Sequence, residues 1–121
     1  MNAIEIGKRL VELTSNDNDA QALDELYSET VVSIEAGGEE AQTWEGLEAV
    51  RGKHAWWNEM TTVHSTSAKG PFASGTDDQF VVRFDMDVTM QGQERAQMQE
   101  VGLFTVADGK IVREVYLPLI S

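Results

Sequence analysis

The chain has 121 residues, the size of one domain with one core. A formal net charge of −12 predicts a surface that repels nucleic acid and anionic membranes, so we expect neither as a partner. Because cysteine is absent, disulfides and thiolate metal sites are excluded.

The sequence carries no pattern typical of a metal or cofactor site. Its two histidines lack His-x-x-x-His spacing, and it has no Gly-rich phosphate loop or nucleophile elbow. The charges of Glu5, Lys8 and Arg9 interrupt any signal-peptide pattern, and no apolar run is long enough to span a membrane. We expect no metal, no cofactor, a cytoplasmic location and a single domain over residues 1–121.

The first third of the chain predicts a helical hairpin. Asn2, with Glu5 three residues later, is typical of a helix start, and apolar residues then recur at helical spacing over about residues 3–14. A polar break separates this helix from a second one at about residues 19–28. Two helices joined by so short a break are expected to pack antiparallel.

The middle of the chain predicts a strand, a helix and another strand. The first strand covers residues 31–36 and ends at Gly37-Gly38, and residues 39–43 form an acidic loop or a weak return strand. The third helix covers about residues 47–60, and its apolar stripe consists of Leu47, Val50, His54 and Trp57. Residues 62–67 predict a strand that is broken near Gly70-Pro71.

The last third predicts a three-stranded antiparallel meander over residues 79–118. Apolar and polar residues alternate from residue 80 to residue 90 with Val81 as the exception, which is the period of a strand with one buried face. Gln91-Gly92 and Asp108-Gly109 are each typical of a two-residue turn. Helices followed by such a meander indicate an α+β fold.

The two turns also predict the strand register. They place Arg83 opposite Glu100, where opposite charges are favourable. The inner face would then consist of Phe84, Met86, Val88, Gln97, Gln99, Val101, Leu103, Glu114 and Tyr116. A three-residue loop with a bulge at Gly109 remains an alternative, and it would move Glu114 and Tyr116 to the face of Arg83.

The opposite face of this meander predicts self-association. In the same register it keeps Met98, Phe104, Val115 and Leu117, with Arg83, Asp85 and Glu100 among them or at the rim. An exposed sheet rarely carries so many apolar side chains. We therefore expect a homodimer that is built on this outer face.

Several short motifs resemble a known family. They are Leu26-Tyr27 before Val31-Val32-Ser33-Ile34-Glu35, Trp44-Glu45-Gly46 at the third helix, and Asp108-Gly109-Lys110-Ile111-Val112-Arg113-Glu114. Together with the element order they resemble the SnoaL-like polyketide cyclases of the nuclear-transport-factor-2-like superfamily. The resemblance implies a cystatin-like cone, with three N-terminal helices packed on a curved, mostly antiparallel sheet. That fold hosts isomerases, cyclases, hydrolases, dehydratases and binding modules, so it does not choose a function.

The layout is also similar to that of ketosteroid isomerases. This similarity implies a catalytic base at Glu35 and a tyrosine at Tyr27, and it places His54 where those enzymes have another tyrosine. Their remaining oxyanion donors fall near Leu10 and Val101, which cannot donate from their side chains. Because such donors usually supply the largest catalytic effect, ketosteroid-type isomerisation is disfavoured.

Glu35 and His54 are the candidate catalytic residues. We expect both to line one cavity, within direct or one-water reach, with the carboxylate raising the histidine pKa. The alternatives are a solvated Glu35 before the Gly-Gly turn and a core His54 bonded to a backbone carbonyl. His64 lies in a polar strand and is expected to be an ordinary surface residue.

The candidate ligand-binding residues are the aromatic and polar groups expected around that cavity. They are Tyr27, Trp44, Trp57, Phe84, Gln97, Gln99, Glu114 and Tyr116. Packing alone could explain the aromatic ones, and the polar ones could bond to each other instead of to a ligand.

Three functions remain open from the sequence. The first is a cofactor-free cyclase or isomerase that moves a proton next to a carbonyl of a hydrophobic, oxygenated small molecule. The second is a non-catalytic module for ligand binding or dimerisation. The third resembles limonene-epoxide hydrolases and needs Arg83, Asp85 and Glu100 to face inward together.

Overall fold

The fold is an α+β arrangement of three helices on one six-stranded sheet. A computed structural model describes residues 1–119. The elements are α1 (Ala3–Ser15), α2 (Asp19–Leu26), β1 (Tyr27–Glu35), β2 (Gln42–Glu45), α3 (Leu47–Met60), β3 (Thr61–Ala73), β4 (Gln79–Met90), β5 (Ala96–Ala107) and β6 (Lys110–Pro118). The strand order is β2-β1-β6-β5-β4-β3, and only β1 and β6 run parallel. The predicted fold class is confirmed.

The predicted start of α1 is confirmed as a capping box. The Asn2 side chain accepts from the Glu5 backbone N–H at 2.9 Å, and the Glu5 carboxylate accepts from the Asn2 N–H at 3.0 Å. The helix buries Ile6, Leu10 and Leu13 on one side. Within residues 1–119 no helix is long and apolar enough to cross a membrane.

The boundary between α2 and β1 lies earlier than the sequence predicts. Helix α2 ends at Leu26, and Tyr27 already belongs to β1, where it pairs with Ile111 of β6. The phenol of Tyr27 is buried and bonded inside the protein. Tertiary burial of this side chain therefore extends the strand into a segment whose local pattern predicts helix.

Two further strands differ from the prediction: β2, which the sequence left open, is present, and β3 is longer than predicted. The weak return strand is present as β2, which places Trp44 opposite Ser33. Strand β3 continues through Gly70-Pro71 to Ala73, with a shift in its pairing to β4 between Lys69 and Phe72. The predicted break is thus an irregularity within one strand.

The predicted register between β4 and β5 is wrong by one residue. The connection is a loop of residues 91–95, not a tight Gln91-Gly92 turn, so Arg83 lies opposite Val101 and Phe84 lies opposite Glu100. Because side chains alternate between faces, this slip moves the whole of β5 to the other face. Gln97, Gln99, Val101 and Leu103 belong to the outer face, while Met98, Glu100 and Phe104 belong to the inner face.

The second turn is a two-residue turn as predicted, with Ala107 opposite Lys110. Asp108 and Gly109 have φ of 52° and 75°, which suits such a hairpin turn. An irregularity then leaves Val112 without a partner, so that Gly102 pairs with Tyr116 and Phe104 with Glu114. Glu114 and Tyr116 therefore stay on the inner face, as predicted, and Glu100 joins them there.

The core lies between the helices and the inner face of the sheet. Phe80 of β4 stacks on Phe104 of β5 with ring centroids 4.9 Å apart, and both rings are fully buried. Tyr116 meets the edge of Phe104 at 6.0 Å. Stacked and edge-on rings of this kind add to the stabilisation from apolar burial. This aromatic cluster forms the floor below the site.

Candidate functional site

A cavity of about 960 Å³ opens between the helices and the inner face of the sheet. Its apolar wall includes Leu10, Leu23, Trp57, Phe84, Met86 and Phe104. Trp56, which is 54% exposed, and Val63, which is 41% exposed, also contribute to the lining. The volume suits a small organic molecule, and the wall favours one that is largely apolar.

Most of the candidate site residues line this cavity, but not all. Those that do are Tyr27, Glu35, Trp44, His54, Trp57, Phe84 and Tyr116. Gln97 and Gln99 do not, because the register places them on the outer face, and their predicted place on the inner face is wrong. Glu114 is fully buried, and it is connected to the cavity through the two tyrosines.

Glu114 is the centre of a buried hydrogen-bond cluster. Tyr27 and Tyr116 donate their hydroxyls to one carboxylate oxygen, at 2.5 and 2.9 Å, and Ser33 donates to the other at 2.8 Å. Burial and the nearby Glu114 charge hold the pKa values of Tyr27 and Tyr116 well above the ordinary range. Both phenols are therefore neutral at ordinary pH, and their protons point at Glu114.

Lys53 is the functional candidate that the sequence analysis missed. Its side chain is 14% exposed, and its Nζ lies 2.7 Å from the Glu35 carboxylate and 2.8 Å from the Ser33 hydroxyl. The same nitrogen lies 4.7 Å from the ring centre of Trp44 and 4.9 Å from that of Tyr116. Ion pairing, hydrogen bonding and two aromatic faces together hold a cation at the cavity wall.

A sequence signal for Lys53 existed in the third helix. Lys53 lies three residues after the fully buried Val50 and four before Trp57, so it belongs to the stripe that faces the sheet. The composition reinforces this signal, because lysine is scarce in so acidic a chain. A buried lysine usually has a partner of opposite charge or a hydrogen-bond acceptor. The partners of Lys53 lie on β1 and β2, and the helix pattern alone does not identify them.

Glu35 and His54 both line the cavity, but Glu35 is paired with Lys53 and not with the histidine. Burial and then the charge of Lys53 lower the pKa of His54, and together they outweigh the upward effects of Glu114, Asp19 and Glu35. Among these Glu35 has the smallest effect on the His54 pKa. Glu35 thus raises the His54 pKa as predicted, but the net shift is downward and the imidazole is neutral at pH 7.

Asp19 is a second residue that the sequence analysis missed. It is the first residue of α2 and lines the cavity from the helical side. Burial raises its pKa, while nearby His54 lowers it. Asp19 and His54 thus give the helical wall of the cavity two titratable groups, opposite the carboxylates of the sheet.

Glu100 is the cavity residue whose pKa is best suited to proton transfer near neutral pH. It lines the cavity from β5, and its pKa is raised to about 7, mainly by burial and then by the charge of Glu35, with Lys53 acting in the opposite direction. Among the described residues no side chain donates a hydrogen bond to it, so only the charge of Lys53 acts against the effect of burial. Near neutral pH this carboxyl group can either give or accept a proton.

The arrangement required of an epoxide hydrolase does not form. Arg83 and Asp85 pair with each other through contacts of 3.2 Å on the outer face, and Arg83 lowers the pKa of Asp85. Glu100 lies on the opposite face of the same sheet. The predicted alternative in which all three face inward is wrong.

His64 is exposed and its side chain forms a hydrogen bond with that of Thr89 at 2.8 Å.

Comparisons with known proteins agree with this architecture. The sequence model of the SnoaL-like domain matches residues 1–117. A Mesorhizobium loti protein, provisionally named a SnoaL-like polyketide cyclase, is 39% identical; the alignment covers 93% of this chain and 96% of that one, with a TM-score of 0.86. No protein with a curated description matches the chain.

More distant structures share the fold. A Xanthomonas campestris protein described by its cystatin-like fold is 22% identical, with a TM-score of 0.78 and coverage of 99% of this chain and 92% of that one. A Bacillus subtilis protein, provisionally named an isomerase, is 16% identical, with a TM-score of 0.76 and coverage of 97% and 86%. With the domain match extending over residues 1–117, the chain belongs to the SnoaL-like domain family.

Proposed function

We propose that this protein is a cofactor-free enzyme of the cyclase or isomerase type, which moves a proton next to a carbonyl group of a hydrophobic small molecule. The observation that carries the proposal is Glu100, a carboxyl group with a pKa of about 7 that faces the ion pair of Glu35 and Lys53 inside a largely apolar cavity. A proton acceptor with a pKa near the working pH is the most effective choice for general base catalysis.

The cavity supports a substrate with an apolar body and one carbonyl end. Aromatic and aliphatic side chains supply most of the wall, which favours the body. The Lys53 ammonium group lies at the wall near Glu35 and Ser33, and it is the natural partner for a carbonyl oxygen. Binding in this way would bring the carbon next to the carbonyl towards the carboxyl groups.

The proposed step divides the work among three side chains. Glu100, in its ionised form, takes a proton from the carbon next to the carbonyl, and the C–H electrons form an enolate. The Lys53 ammonium stabilises the developing charge on the enolate oxygen, which is usually the largest contribution in such reactions. Glu35 keeps that ammonium in position, and Glu100, which now carries the proton, returns it to the enolate at another carbon.

Exchange of carbon-bound hydrogen in D₂O tests this proposal. The protein is incubated with 2-tetralone, an aromatic ketone with acidic α-hydrogens, and their loss is followed by NMR. We expect the wild type to exceed the buffer rate and Glu100→Gln to lose about 100-fold of that excess. Asp85→Asn, which removes a carboxylate from the outer face, is the matched control and should retain the rate.

The non-catalytic ligand-binding module remains a second candidate because of one observation. Tyr27 and Tyr116 both donate to Glu114, so neither hydroxyl proton is directed at a ligand. In the same experiment this alternative predicts quenching of tryptophan fluorescence by the ketone without any exchange above buffer. Exchange that is equal in wild type and Glu100→Gln would also remove Glu100 from the proposed mechanism.

A further inference from the structure

Lys53 differs from every other lysine of the chain. The sequence has four lysines, and Lys8, Lys69 and Lys110 are exposed to solvent. Lys53 alone lines the cavity described above, with most of its side chain buried. A primary amine inside an apolar pocket is a nucleophile as well as a charge, because it can add to a carbonyl carbon once it has lost a proton.

We propose that Lys53 captures aldehydes and unhindered ketones in this cavity as a covalent iminium ion. The inference rests on the proposed function, since it needs the same pocket and a carbonyl ligand. It goes beyond that function because the lysine forms a bond to the substrate and no longer acts as a charge alone.

Each step of the reaction has a group in place. The ammonium first gives a proton to the Glu35 carboxylate, 2.7 Å away, and the free nitrogen then adds to the carbonyl carbon. The carbonyl oxygen takes a proton from Glu100, and the Glu100 carboxylate then takes a proton from the nitrogen, which gives a neutral carbinolamine. Protonation of its hydroxyl by Glu35 lets the C–O bond break, and the products are an iminium ion and one water molecule.

The surroundings of the nitrogen are suited to the product. Trp44 and Tyr116 present their faces to Nζ at 4.7 and 4.9 Å, and aromatic faces attract an iminium ion as they attract an ammonium ion. Glu35 and Glu100 can neutralise the same charge. We therefore expect capture to be selective for carbonyl compounds that fit the cavity.

Reductive trapping tests the inference without knowledge of the natural substrate. The intact protein is treated with 3-phenylpropanal and sodium cyanoborohydride, and peptide mass spectrometry measures the labelled fraction of each lysine and of the amino terminus. We expect Lys53 to be labelled about tenfold faster than Lys8, Lys69 or Lys110, because binding raises the local aldehyde concentration. With glycolaldehyde, which is small and polar, this preference should disappear.

Variants separate the nucleophile from the pocket. Lys53→Arg keeps the charge but should lose all labelling at residue 53, and Glu35→Gln should slow it. Lys69→Arg changes an exposed lysine in the same way and should leave the Lys53 rate unchanged. Circular dichroism on each variant confirms that the fold is retained.

Binding of 3-phenylpropanol, the unreactive alcohol, distinguishes the two possible failures. If the alcohol quenches tryptophan fluorescence and Lys53 is labelled no faster than the exposed lysines, the inference is overturned and the pocket of the proposed function stands. If the alcohol does not bind and Lys53 shows no preference, both are overturned. Fast labelling that the alcohol suppresses by competition supports both.

Discussion

Two carboxyl groups on the inner face of one sheet differ in their partners. Glu114 of β6 is fully buried and accepts three hydroxyl hydrogen bonds, from Tyr27, Tyr116 and Ser33. Glu100 of β5 faces the cavity, and no described side chain donates to it. The three donors replace the water that Glu114 loses on burial, whereas Glu100 has no such donors and its pKa is raised to about 7. The first region therefore supports the fold, and the second is available for chemistry.

The largest effect should follow from removing the Glu114 carboxylate. Glu114→Ala leaves three buried hydroxyl groups without their acceptor and opens a cavity, so we expect the free energy of unfolding to fall by about 4 kcal/mol. Urea denaturation measures the change. Ser33→Ala, which removes only one of the three bonds, should cost about 1 kcal/mol. A loss for Glu114→Ala no larger than that for Ser33→Ala would contradict the comparison.

Glu100, which lacks such donors, should instead make the stability of the protein depend on pH. Its folded pKa of about 7 lies above the ordinary value of 4.5, so between these values the folded state binds the proton more tightly than the unfolded state does. Stability that is present at low pH is therefore lost as the pH rises from 4.5 to 7. We expect this contribution to be about 2 kcal/mol, after allowing for partial exposure.

The variant Glu100→Gln isolates that contribution. Urea denaturation at pH 4.5, 5.5, 6.5 and 7.5 should give a difference between variant and wild type that moves in favour of the variant as the pH rises. Asp87→Asn is the control, because Arg95 lowers the pKa of Asp87 and its contribution is lost towards low pH. A constant difference between Glu100→Gln and the wild type would show that Glu100 does not titrate in this range.

What the sequence predicted well depends on local signals. Asn2 and Glu5 predicted the start of α1, and Asp108-Gly109 predicted its turn, because in each case the residues themselves make the geometry. The alternation in β4 predicted a strand with Phe84 and Met86 facing inward, for the same reason. Such signals were sufficient for the fold class.

What the sequence predicted poorly depends on a register. The segment at Gln91-Gly92 has the composition of a tight turn, but the loop extends to Arg95, and the resulting slip of one residue exchanged Glu100 with Gln99. The irregularity at Val112 is equally invisible in the composition. Glu100 acquires its role from the register and from neighbours that are distant in sequence, so no local pattern could have identified it. For Lys53 the helical spacing from Val50 and Trp57 indicated only which way it faces, and its partners are again distant in sequence.

The outer face of the sheet provides a third prediction, which concerns assembly. In the observed register this face retains Val81, Val101, Leu103, Val115 and Leu117, and Leu117 is 44% exposed. Met98 and Phe104, which the sequence analysis placed there, face the cavity side instead. An apolar sheet face of this extent still indicates association, and we propose a homodimer formed through it.

Light scattering tests the dimer, and a monomeric variant also tests the comparison of Glu100 with Glu114. We expect a mass of about twice the 13.4 kDa of the chain for the wild type, and a monomer for Leu103→Asp, because a charge would be buried in the interface. Ala55→Asp, on the exposed side of α3, should stay dimeric. Since Glu100 and Glu114 face away from this surface, the monomeric variant should keep the pH dependence of stability. A wild-type monomer at high micromolar concentration would contradict the proposal.

The smallest expected effect concerns His54, which lines the cavity from α3. Burial lowers its pKa, and the charges of Glu114 and Asp19 raise it more than that of Glu35 does. NMR titration should therefore give a His54 pKa below the ordinary 6.5. Asp19→Asn should lower it further, by more than Glu35→Gln does, because Glu35 is already paired with Lys53. His64 serves as the internal reference in the same spectra. A larger response to Glu35→Gln than to Asp19→Asn would show that Glu35 and His54 form the catalytic pair expected from the sequence, and Glu100 would then lose its place as the first candidate for the base.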